Sequence, residues 1–273
     1  MKEVILNNGT KIPSIGVGVF RVEDANIAYE TVKTALSVGY RHVDTAMIYG
    51  NEEAVGKAIR DSGIPREEIF LTTKLWNDDQ RSGKVEEAIE ASLKRLGMDY
   101  VNLYLVHWPV KETYVSVWKK MEAVYKSGKA KAIGVSNYQT HHLADLLEEA
   151  EIIPAVNQIE CYPYLSQAAT IQYCLERNIR PEAWGPLGAG KSDILTNPVI
   201  TEIAKKRGLT PAQVVLGWNL ERGVIVIPKS IHKERLTENL KCTDFELTDK
   251  DMTRISALNK NLRLGADPDH FNF

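Results

Sequence analysis

Hydrophobic residues along the chain alternate between short β-branched runs and longer stretches in which apolar residues recur every three or four positions. The short runs are typical of buried strands, and the longer stretches are typical of amphipathic helices. Strands are predicted at 14–19, 42–45, 69–75, 101–107, 132–137, 155–160, 181–184 and 224–228. Helices are predicted at 28–37, 52–62, 84–96, 115–127, 141–149, 168–177, 199–207, 211–220, 233–241 and 248–258.

The helix predicted at 84–96 illustrates the pattern. Val85, Ile89 and Leu93 recur on one face, and charged residues such as Glu86 and Lys94 fill the other. Glycines are common just after helix ends, where the backbone turns left-handed. Four predicted helices are followed by such a residue, namely Gly39, Gly63, Gly97 and Gly128.

The regular alternation of strands and helices predicts an α/β protein with a parallel sheet. No proline-rich or low-complexity linker interrupts residues 1–273, so we expect one domain. Near the start, Asn8-Gly9 between two short apolar runs predicts a β-hairpin with a type I′ turn. About eight strand–helix units can either close into a (β/α)₈ barrel or form an open doubly wound sheet. The hydrophobic pattern alone allows both.

Polar side chains lie at the carboxyl ends of consecutive predicted strands. Asp44 lies near the end of the second strand, and Tyr49 follows it shortly afterwards. Lys74 and His107 lie at the ends of the third and fourth strands. Any one of them could simply be the solvated last residue of a buried strand. In a (β/α)₈ barrel all of these ends meet on the face that carries the active site, so their succession favours that fold.

These side chains also form a chemically plausible group. A buried aspartate and lysine are costly unless paired, so we expect Asp44 to pair with Lys74. We expect the Lys74 charge to lower the pKa of Tyr49 towards the working pH, which prepares a proton donor. His107, as neutral imidazole, would then align a substrate oxygen. The alternative is a structural ion pair with a core histidine and a surface tyrosine.

Composition narrows the classes of function. A hydrophobic content of 44% and a charged content of 26% in 273 residues are ordinary for a soluble globular protein. The formal net charge of −2 offers no basic footprint for nucleic acid. No apolar run approaches the length of about 18 residues that a membrane span needs. The cysteines form no CxxC pair, so neither a disulfide framework nor a metal site is expected, and the cytoplasm is the default location.

Four motifs together resemble the aldo-keto reductases, in particular short bacterial members related to diketo-gluconate reductases and prostaglandin F synthases. The resemblance runs from about Leu6 to Phe273. The motifs are Gly39-Tyr40-Arg41-His42-Val43-Asp44-Thr45-Ala46 with Tyr49, Asn51 and Glu52; Leu96-Gly97-Met98-Asp99-Tyr100-Val101 with His107-Trp108-Pro109; Gly134-Val135-Ser136-Asn137; and Ile227-Pro228-Lys229-Ser230 with Arg235, Glu238 and Asn239.

This resemblance implies a fold and a set of site residues. The fold is a (β/α)₈ TIM barrel, and we expect the N-terminal β-hairpin to cap its bottom and extra helices to follow at the C-terminus. The catalytic positions are Asp44, Tyr49, Lys74 and His107. The nicotinamide positions are Ser136, Asn137, Gln158 and Trp184. The positions for the 2′-phosphate and the adenine are Lys229, Ser230, Arg235, Glu238 and Asn239, which favours NADPH over NADH. Gly16-Val17-Gly18 does not continue as a G-x-G-x-x-G turn, so no Rossmann fingerprint is expected.

Aromatic residues at the strand ends predict an apolar substrate mouth. Its expected members are Phe20, Met47, Trp76, His107 and Trp108, with Phe271 and Phe273 folding back from the tail. We therefore predict an NADPH-dependent carbonyl reductase with Tyr49 as general acid, acting as a cytoplasmic monomer on small molecules. The alternatives are an NADP-dependent alcohol dehydrogenase and a nicotinamide-binding sensor on the same barrel with little turnover.

Overall fold

Strands and helices alternate in the computed structural model of the protein, which describes residues 2–273. The strands are β1 (Glu3–Ile5), β2 (Lys11–Pro13), β3 (Val17–Gly18), β4 (His42–Asp44), β5 (Phe70–Leu75), β6 (Val101–Val106), β7 (Ala130–Ser136), β8 (Val156–Glu160), β9 (Arg180–Trp184) and β10 (Ile225–Val226). The α-helices are α1 (Ala25–Ser37), α2 (Glu52–Arg60), α3 (Asn77–Ser82), α4 (Val85–Leu96), α5 (Ser116–Lys126), α6 (Thr140–Glu149), α7 (Ala168–Glu176), α8 (Pro198–Arg207), α9 (Pro211–Glu221), α10 (Lys233–Leu240) and α11 (Asp249–Ser256).

Strands β3 to β10 form one parallel sheet in which each strand pairs with the next along the chain. The sheet closes on itself through a parallel bridge between Ile15 and Val226. At this seam Gly16 N donates to Val226 O at 2.9 Å, and Val226 N donates to Ser14 O at 3.1 Å. The predicted TIM-barrel fold is therefore confirmed, and the open doubly wound sheet is excluded.

The predicted and observed elements differ mainly at the seam and at one helix. β3 and β10 are shorter than the predicted strands 14–19 and 224–228, because the seam between them is held by a single bridge. Helix α3 was not predicted, since its sequence Asn77-Asp78-Asp79-Gln80-Arg81-Ser82 contains no apolar residue to give a helical period.

Pro181 lies in β9 although proline cannot donate a ladder hydrogen bond. Arg180 N donates to Ala155 O at 2.9 Å, on the side of β8. Successive residues of a strand point their N–H groups to opposite sides. The Pro181 nitrogen therefore faces β10, which begins only opposite Glu182, so no ladder bond is lost there.

The hairpin of β1 and β2 lies against the amino-terminal ends of the barrel strands. Asn8 Nδ2 donates to Lys131 O at 2.9 Å, and Asn7 Nδ2 donates to Pro154 O at 3.0 Å. These carbonyls lie at the start of β7 and just before β8. Inside the barrel, apolar hairpin side chains pack with others in one buried cluster, Leu6, Ile12, Phe70, Leu103, Leu105, Ala132, Ala155, Val156 and Ile225. The hairpin thus caps the barrel bottom, as predicted.

The turn of this hairpin is not the predicted type I′. Gly9 N donates to Leu6 O at 2.9 Å, so Asn7 and Asn8 are the central residues. A type I′ turn needs positive φ at both central residues, and in this turn only Gly9 has it, at 84°. The loop has three residues with glycine in the left-handed position, a geometry that Asn-Gly also permits.

The remaining core lies between the barrel strands and the surrounding helices. Among residues 2–273, no helix is long and apolar enough to cross a membrane. Cys161, Cys174 and Cys242 are buried free thiols. After β10 the chain forms α10 and α11, the extra C-terminal helices that were expected, and then an irregular tail from 257 to 273.

Candidate active site

Asp44, Lys74 and Tyr49 meet at the carboxyl ends of β4 and β5. Lys74 Nζ donates to Asp44 Oδ1 at 2.6 Å and to Thr45 O at 2.9 Å. A short 3₁₀ helix, Met47–Tyr49, brings the Tyr49 hydroxyl to 3.4 Å from the same nitrogen. Lys74 is fully buried, and Asp44 is only 2% exposed. The predicted pairing of Asp44 with Lys74 is confirmed, and the tyrosine hydroxyl lies beside the ammonium.

The pKa of Tyr49 shifts in the direction opposite to our expectation. Burial raises it above the ordinary value of 10.0, and this outweighs the lowering by the Lys74 charge. The predicted net fall is therefore wrong, because the prediction left out the cost of burying a phenolate. For Lys74, burial lowers the pKa, but Asp44 and Tyr49 raise it by more, so the net shift is upward from the ordinary value of 10.5. At neutral pH the site holds a protonated phenol next to a charged ammonium.

His107 lies next to Tyr49 as an uncharged ring. Its centroid is 5.7 Å from the Tyr49 ring and 5.2 Å from the Trp76 ring, edge-on to both. Burial, together with the charge of Lys74, lowers the pKa of His107 well below its ordinary value of 6.5. The expected neutral imidazole is therefore confirmed. Such a ring has one N–H donor and can hydrogen-bond a carbonyl oxygen.

Asn137 binds protein groups through both ends of its amide. Its Nδ2 donates to His107 O at 3.0 Å and to Ser136 Oγ at 3.2 Å. Trp184 Nε1 donates to Asn137 Oδ1 at 2.8 Å, which fixes the half-buried indole. Ser136 Oγ donates to Gln158 O at 2.9 Å. The four residues predicted for the nicotinamide ring are thus brought together, and Asn137 also orients Trp184, which the sequence did not indicate.

The residues predicted for the 2′-phosphate lie at the start of α10. Lys229 and Ser230 precede this helix, and Arg235 lies in its first turns. Lys229 and Arg235 are exposed, and neither forms an ion pair within the described part of the chain. Ser230 is buried, and its Oγ accepts from His232 N at 3.1 Å. Two free cations therefore flank a helix N-terminus, an arrangement that suits an anion.

Glu238 and Asn239, predicted for the adenine, lie further along α10. Thr210 Oγ1 donates to Glu238 Oε1 at 2.7 Å, and Gln213 Nε2 donates to Glu238 O at 3.0 Å. Asn239 is buried. Glu238 therefore also ties α10 to the N-terminus of α9, a structural role that the sequence did not indicate.

Aromatic side chains surround the Tyr49 hydroxyl. The Phe20 ring lies 4.9 Å from the Tyr49 ring and is 50% exposed. Trp76 is half-buried, Trp108 is buried, and Met47 is half-buried at the start of the short helix that carries Tyr49. The predicted residues therefore form an apolar rim around the group of polar side chains.

The tail folds back onto this rim, as expected. The Phe273 ring is stacked on Trp76 at 5.9 Å with an angle of 4° between the planes. The Phe271 ring lies 5.2 Å from that of Trp108. Asn77 Nδ2 donates to Phe273 O at 3.0 Å, which anchors the last residue on α3. The tail thus supplies one wall of the mouth.

Comparison with known proteins decides the family. The model of the Aldo/keto reductase family matches residues 14–260. The chain belongs to this family. Aldo/keto reductases reduce carbonyl groups with nicotinamide cofactors, so this aldo/keto reductase is an oxidoreductase, as predicted.

Individual relatives match over nearly their full length. This aldo/keto reductase is 50% identical over 270 residues to glyoxal reductase of Bacillus subtilis (strain 168), covering 99% of this chain and 97% of that protein. It is 44% identical over 268 residues to methylglyoxal reductase DkgA of Salmonella typhimurium, covering 97% of this chain and 96% of that protein. The crystal structure of MGS-M4, an aldo-keto reductase from a Medee basin deep-sea metagenome library, superposes with a TM-score of 0.96 at 47% identity, covering 99% and 100%.

Glu160 holds the tail of this aldo/keto reductase in place, a role that the sequence analysis missed. Its buried carboxylate accepts from Leu264 N at 2.7 Å and from Gly265 N at 2.9 Å. Gly265 lies against the Trp184 ring, where a Cβ atom would come within 2.6 Å of it. The sequence offered one signal for this role, a carboxylate within a short buried strand, because such a charge needs hydrogen-bond partners.

Asp269 forms a second attachment of the tail. Its carboxylate accepts from Gln139 Nε2 at 2.8 Å and lies 2.9 Å from His141 Nε2 and 3.3 Å from His142 Nε2. His142 Nδ1 accepts from Gln139 N at 3.2 Å, which leaves the ring proton on Nε2, facing Asp269. These contacts of Asp269 with Gln139, His141 and His142 tie the tail to the start of α6.

We expect Phe273→Ala to raise KM for an aromatic aldehyde about tenfold with a smaller effect on kcat, because a stacked ring wall is lost. Steady-state kinetics with 4-nitrobenzaldehyde measures this. The Kd of the nicotinamide cofactor, from quenching of tryptophan fluorescence, is the internal control and should not change. An unchanged KM would show that the tail does not contact the substrate.

Proposed function

We propose that this aldo/keto reductase reduces small aldehydes and ketones with NADPH, and that Tyr49 is the general acid. The observation that supports it is the Tyr49 hydroxyl, 3.4 Å from Lys74 Nζ, which is itself 2.6 Å from Asp44 Oδ1. A protonated phenol, a fixed cation and the neutral imidazole of His107 therefore share one rim. This combination suits proton donation to a carbonyl oxygen.

Each of these side chains has a distinct role in the proposed mechanism. His107 donates a hydrogen bond to the carbonyl oxygen and aligns it. Tyr49 gives its proton to that oxygen as negative charge develops there. Lys74 stabilises the phenolate that remains, and Asp44 holds Lys74 in place. The bound cofactor supplies the hydride.

The residues fit a dinucleotide that carries a 2′-phosphate. Gln158 Oε1 has no donor within residues 2–273, and Trp184 offers a half-buried ring for stacking. Exposed Lys229 and Arg235, without acidic partners in the same range, suit a phosphate dianion. We therefore assign the nicotinamide to Ser136, Asn137, Gln158 and Trp184, and the adenosine phosphate to Lys229, Ser230, Arg235, Glu238 and Asn239.

Small α-oxoaldehydes are the proposed substrates. Two relatives are named glyoxal reductase and methylglyoxal reductase, and both match almost all of the chain. The mouth formed by Phe20, Met47, Trp76, His107 and Trp108 is narrowed by Phe271 and Phe273, which favours compact carbonyl compounds.

We further propose that residues 1–273 act as one domain, as a monomer in the cytoplasm. The hairpin and the tail both pack on the barrel, which supports a single unit. Three free thiols suit a reducing compartment. The formal net charge of −2 argues against a nucleic-acid partner. No observation favours the alternative of a sensor with little turnover.

A substrate panel tests the proposed reaction. Turnover per unit KM should be highest for glyoxal and methylglyoxal, lower for a keto-sugar and a quinone, and higher with NADPH than with NADH. Tight NADPH binding without turnover of any carbonyl compound would contradict the proposal and favour the sensor.

Arg235→Ala tests the choice of cofactor. We expect the Kd of NADPH to rise about 10- to 100-fold, because a charge-assisted hydrogen bond to the phosphate is lost, while the Kd of NADH stays within about twofold. Fluorescence titration measures both constants. Arg254→Ala, at an arginine on α11 that pairs with Glu202, is the matched control. Equal losses for the two cofactors would contradict a phosphate contact.

A further inference from the structure

A second carboxyl group lies below the Asp44–Lys74 pair, inside the barrel. Gln158 Nε2 donates to Asp44 Oδ2 at 2.8 Å and to Glu182 Oε1 at 2.6 Å. Gln158 is 2% exposed, and Glu182 is fully buried. Both amide hydrogens of Gln158 are therefore taken by carboxyl oxygens, one from β4 and one from β9.

These two acceptors determine which way the amide of Gln158 faces. If the amide were turned over, its oxygen would face the Asp44 carboxylate, which repels it, and Glu182 Oε1 would lose its hydrogen-bond donor. Because the two carboxyl groups hold the NH2 group of Gln158, its Oε1 is the atom left for another partner. No group within residues 2–273 donates to this oxygen. An amide oxygen presented in this way can accept from the carboxamide of a nicotinamide.

Several polar groups face Glu182 across the barrel. His42 on β4 has its Nε2 at 3.9 Å from Glu182 Oε2, Asp44 lies on the other side of Gln158, and Lys74 on β5 is close enough to act on it electrostatically. On the His42 side, Nε2 lies 3.4 Å from Thr72 Oγ1. From β10, the register partner of Glu182 is the apolar Ile225.

The charges of this group follow from burial. Burial raises the pKa of Glu182 to about 8, helped by the negative charge of Asp44, although Gln158 and Lys74 act in the other direction. Burial also lowers the pKa of His42 to about 3. At neutral pH both side chains are therefore uncharged, and their contact is not an ion pair.

We propose that Glu182 is a positioning residue of the nicotinamide site, which acts by fixing the amide of Gln158 so that its oxygen faces the cofactor. This inference rests on the proposed function. Glu182 touches neither substrate nor cofactor, and its effect passes through Gln158. When Glu182 ionises, it also adds a negative charge below the site, which favours the positively charged oxidised ring over the reduced one.

Two variants separate the acceptor from the charge. Glu182→Met removes the acceptor, and we expect the Kd of NADPH at pH 7 to rise about tenfold, because the Gln158 amide, then held by Asp44 alone, no longer keeps its oxygen facing the cofactor. Glu182→Gln restores an acceptor oxygen, and we expect it to recover most of that loss. Fluorescence titration measures the Kd values, and thermal unfolding checks that each variant is folded.

The second measurement is the ratio of the Kd of NADP⁺ to that of NADPH between pH 6.5 and 9. Both cofactors carry the same phosphates, so the ratio cancels their titration. In the unmodified protein this ratio should fall as the pH passes about 8, where Glu182 ionises. In Glu182→Gln, which cannot ionise there, it should fall much less. Tyr49 and Lys74 are present in both proteins, so their titration does not create a difference between them.

The outcomes distinguish this inference from the proposed function. If the unmodified protein fails to bind NADPH or to reduce glyoxal, the proposed function is overturned. If the unmodified protein binds and turns over, but Glu182→Gln gives the same pH profile of the ratio, the proposed charge effect of Glu182 is wrong. A folded Glu182→Met with unchanged NADPH affinity also overturns it. If Glu182→Met does not fold, Glu182→Leu, which also offers no acceptor, takes its place in the titration.

Discussion

Tyr49→Phe should lower kcat about 10³-fold with glyoxal and NADPH, while the Kd of NADPH stays within about twofold. The substitution removes only the hydroxyl that lies 3.4 Å from Lys74 Nζ, and it leaves a ring that can keep its contacts with Phe20 and His107. Without this hydroxyl the carbonyl oxygen has no positioned acid as its charge develops. Single-turnover kinetics measures the loss, because it separates the chemical step from cofactor release.

Tyr29→Phe is the matched control for this experiment. Tyr29 donates to Asp61 at 2.9 Å at the surface of α1 and α2, so losing its hydroxyl should leave kcat unchanged. A Tyr49→Phe protein that keeps near-normal turnover would contradict the assignment of the acid. If variants of Lys74 and Asp44 also kept near-normal turnover, the proton donor would be a different residue.

The barrel and the polar rim could be predicted because both depend on local patterns. Lys74 lies in a strand of six buried residues, where an unpaired ammonium is very costly, so a partner from a neighbouring strand end was required. Asp44 was the nearest candidate in the expected barrel. The order of the elements could likewise be predicted from local patterns, namely the alternation of strands and helices and the glycines after helix ends.

The pKa of Tyr49 could not be predicted in this manner. Its direction depends on two opposing effects, the charge of Lys74 and the burial of the phenol. The sequence indicates the first through the motif, but burial is produced by Phe20, His107 and other rim residues that come from different parts of the chain. A raised pKa still suits reduction, because the acid must carry its proton before the reaction begins.

Contacts of the tail lie beyond the reach of sequence patterns for a similar reason. Glu160 binds Leu264, which is 104 positions later, and neither residue belongs to a periodic pattern that includes the other. Gln158 and Glu182 likewise become neighbours only when β8 and β9 pair. In both cases the sequence places a carboxylate within a predicted strand, where it needs a partner if buried, and the closed barrel determines which partner it finds.

Lys74→Met should both abolish turnover and lower the free energy of unfolding by about 3–5 kcal/mol, because it leaves the buried Asp44 carboxylate without its counter-charge. Asp44 would keep the bond from Gln158, but an amide hydrogen does not neutralise the charge. Urea unfolding followed by tryptophan fluorescence measures the stability, with Lys57→Met as control. That lysine pairs with Asp61 at the surface, where solvent screens the pair, so its loss should hardly change the free energy of unfolding.

Adding Asp44→Asn to Lys74→Met separates the two effects. The double variant buries no charge at this position, so most of the lost stability should return, while turnover should stay at the level of Lys74→Met because the phenolate of Tyr49 has no ammonium beside it. The difference between the double variant and the sum of the single ones gives the coupling between Asp44 and Lys74. A Lys74→Met protein as stable as the unmodified one would show that Asp44 takes up a proton or reaches water, and that the pair is less isolated than its burial indicates. Recovery of turnover in the double variant would contradict the role of Lys74 in stabilising the phenolate.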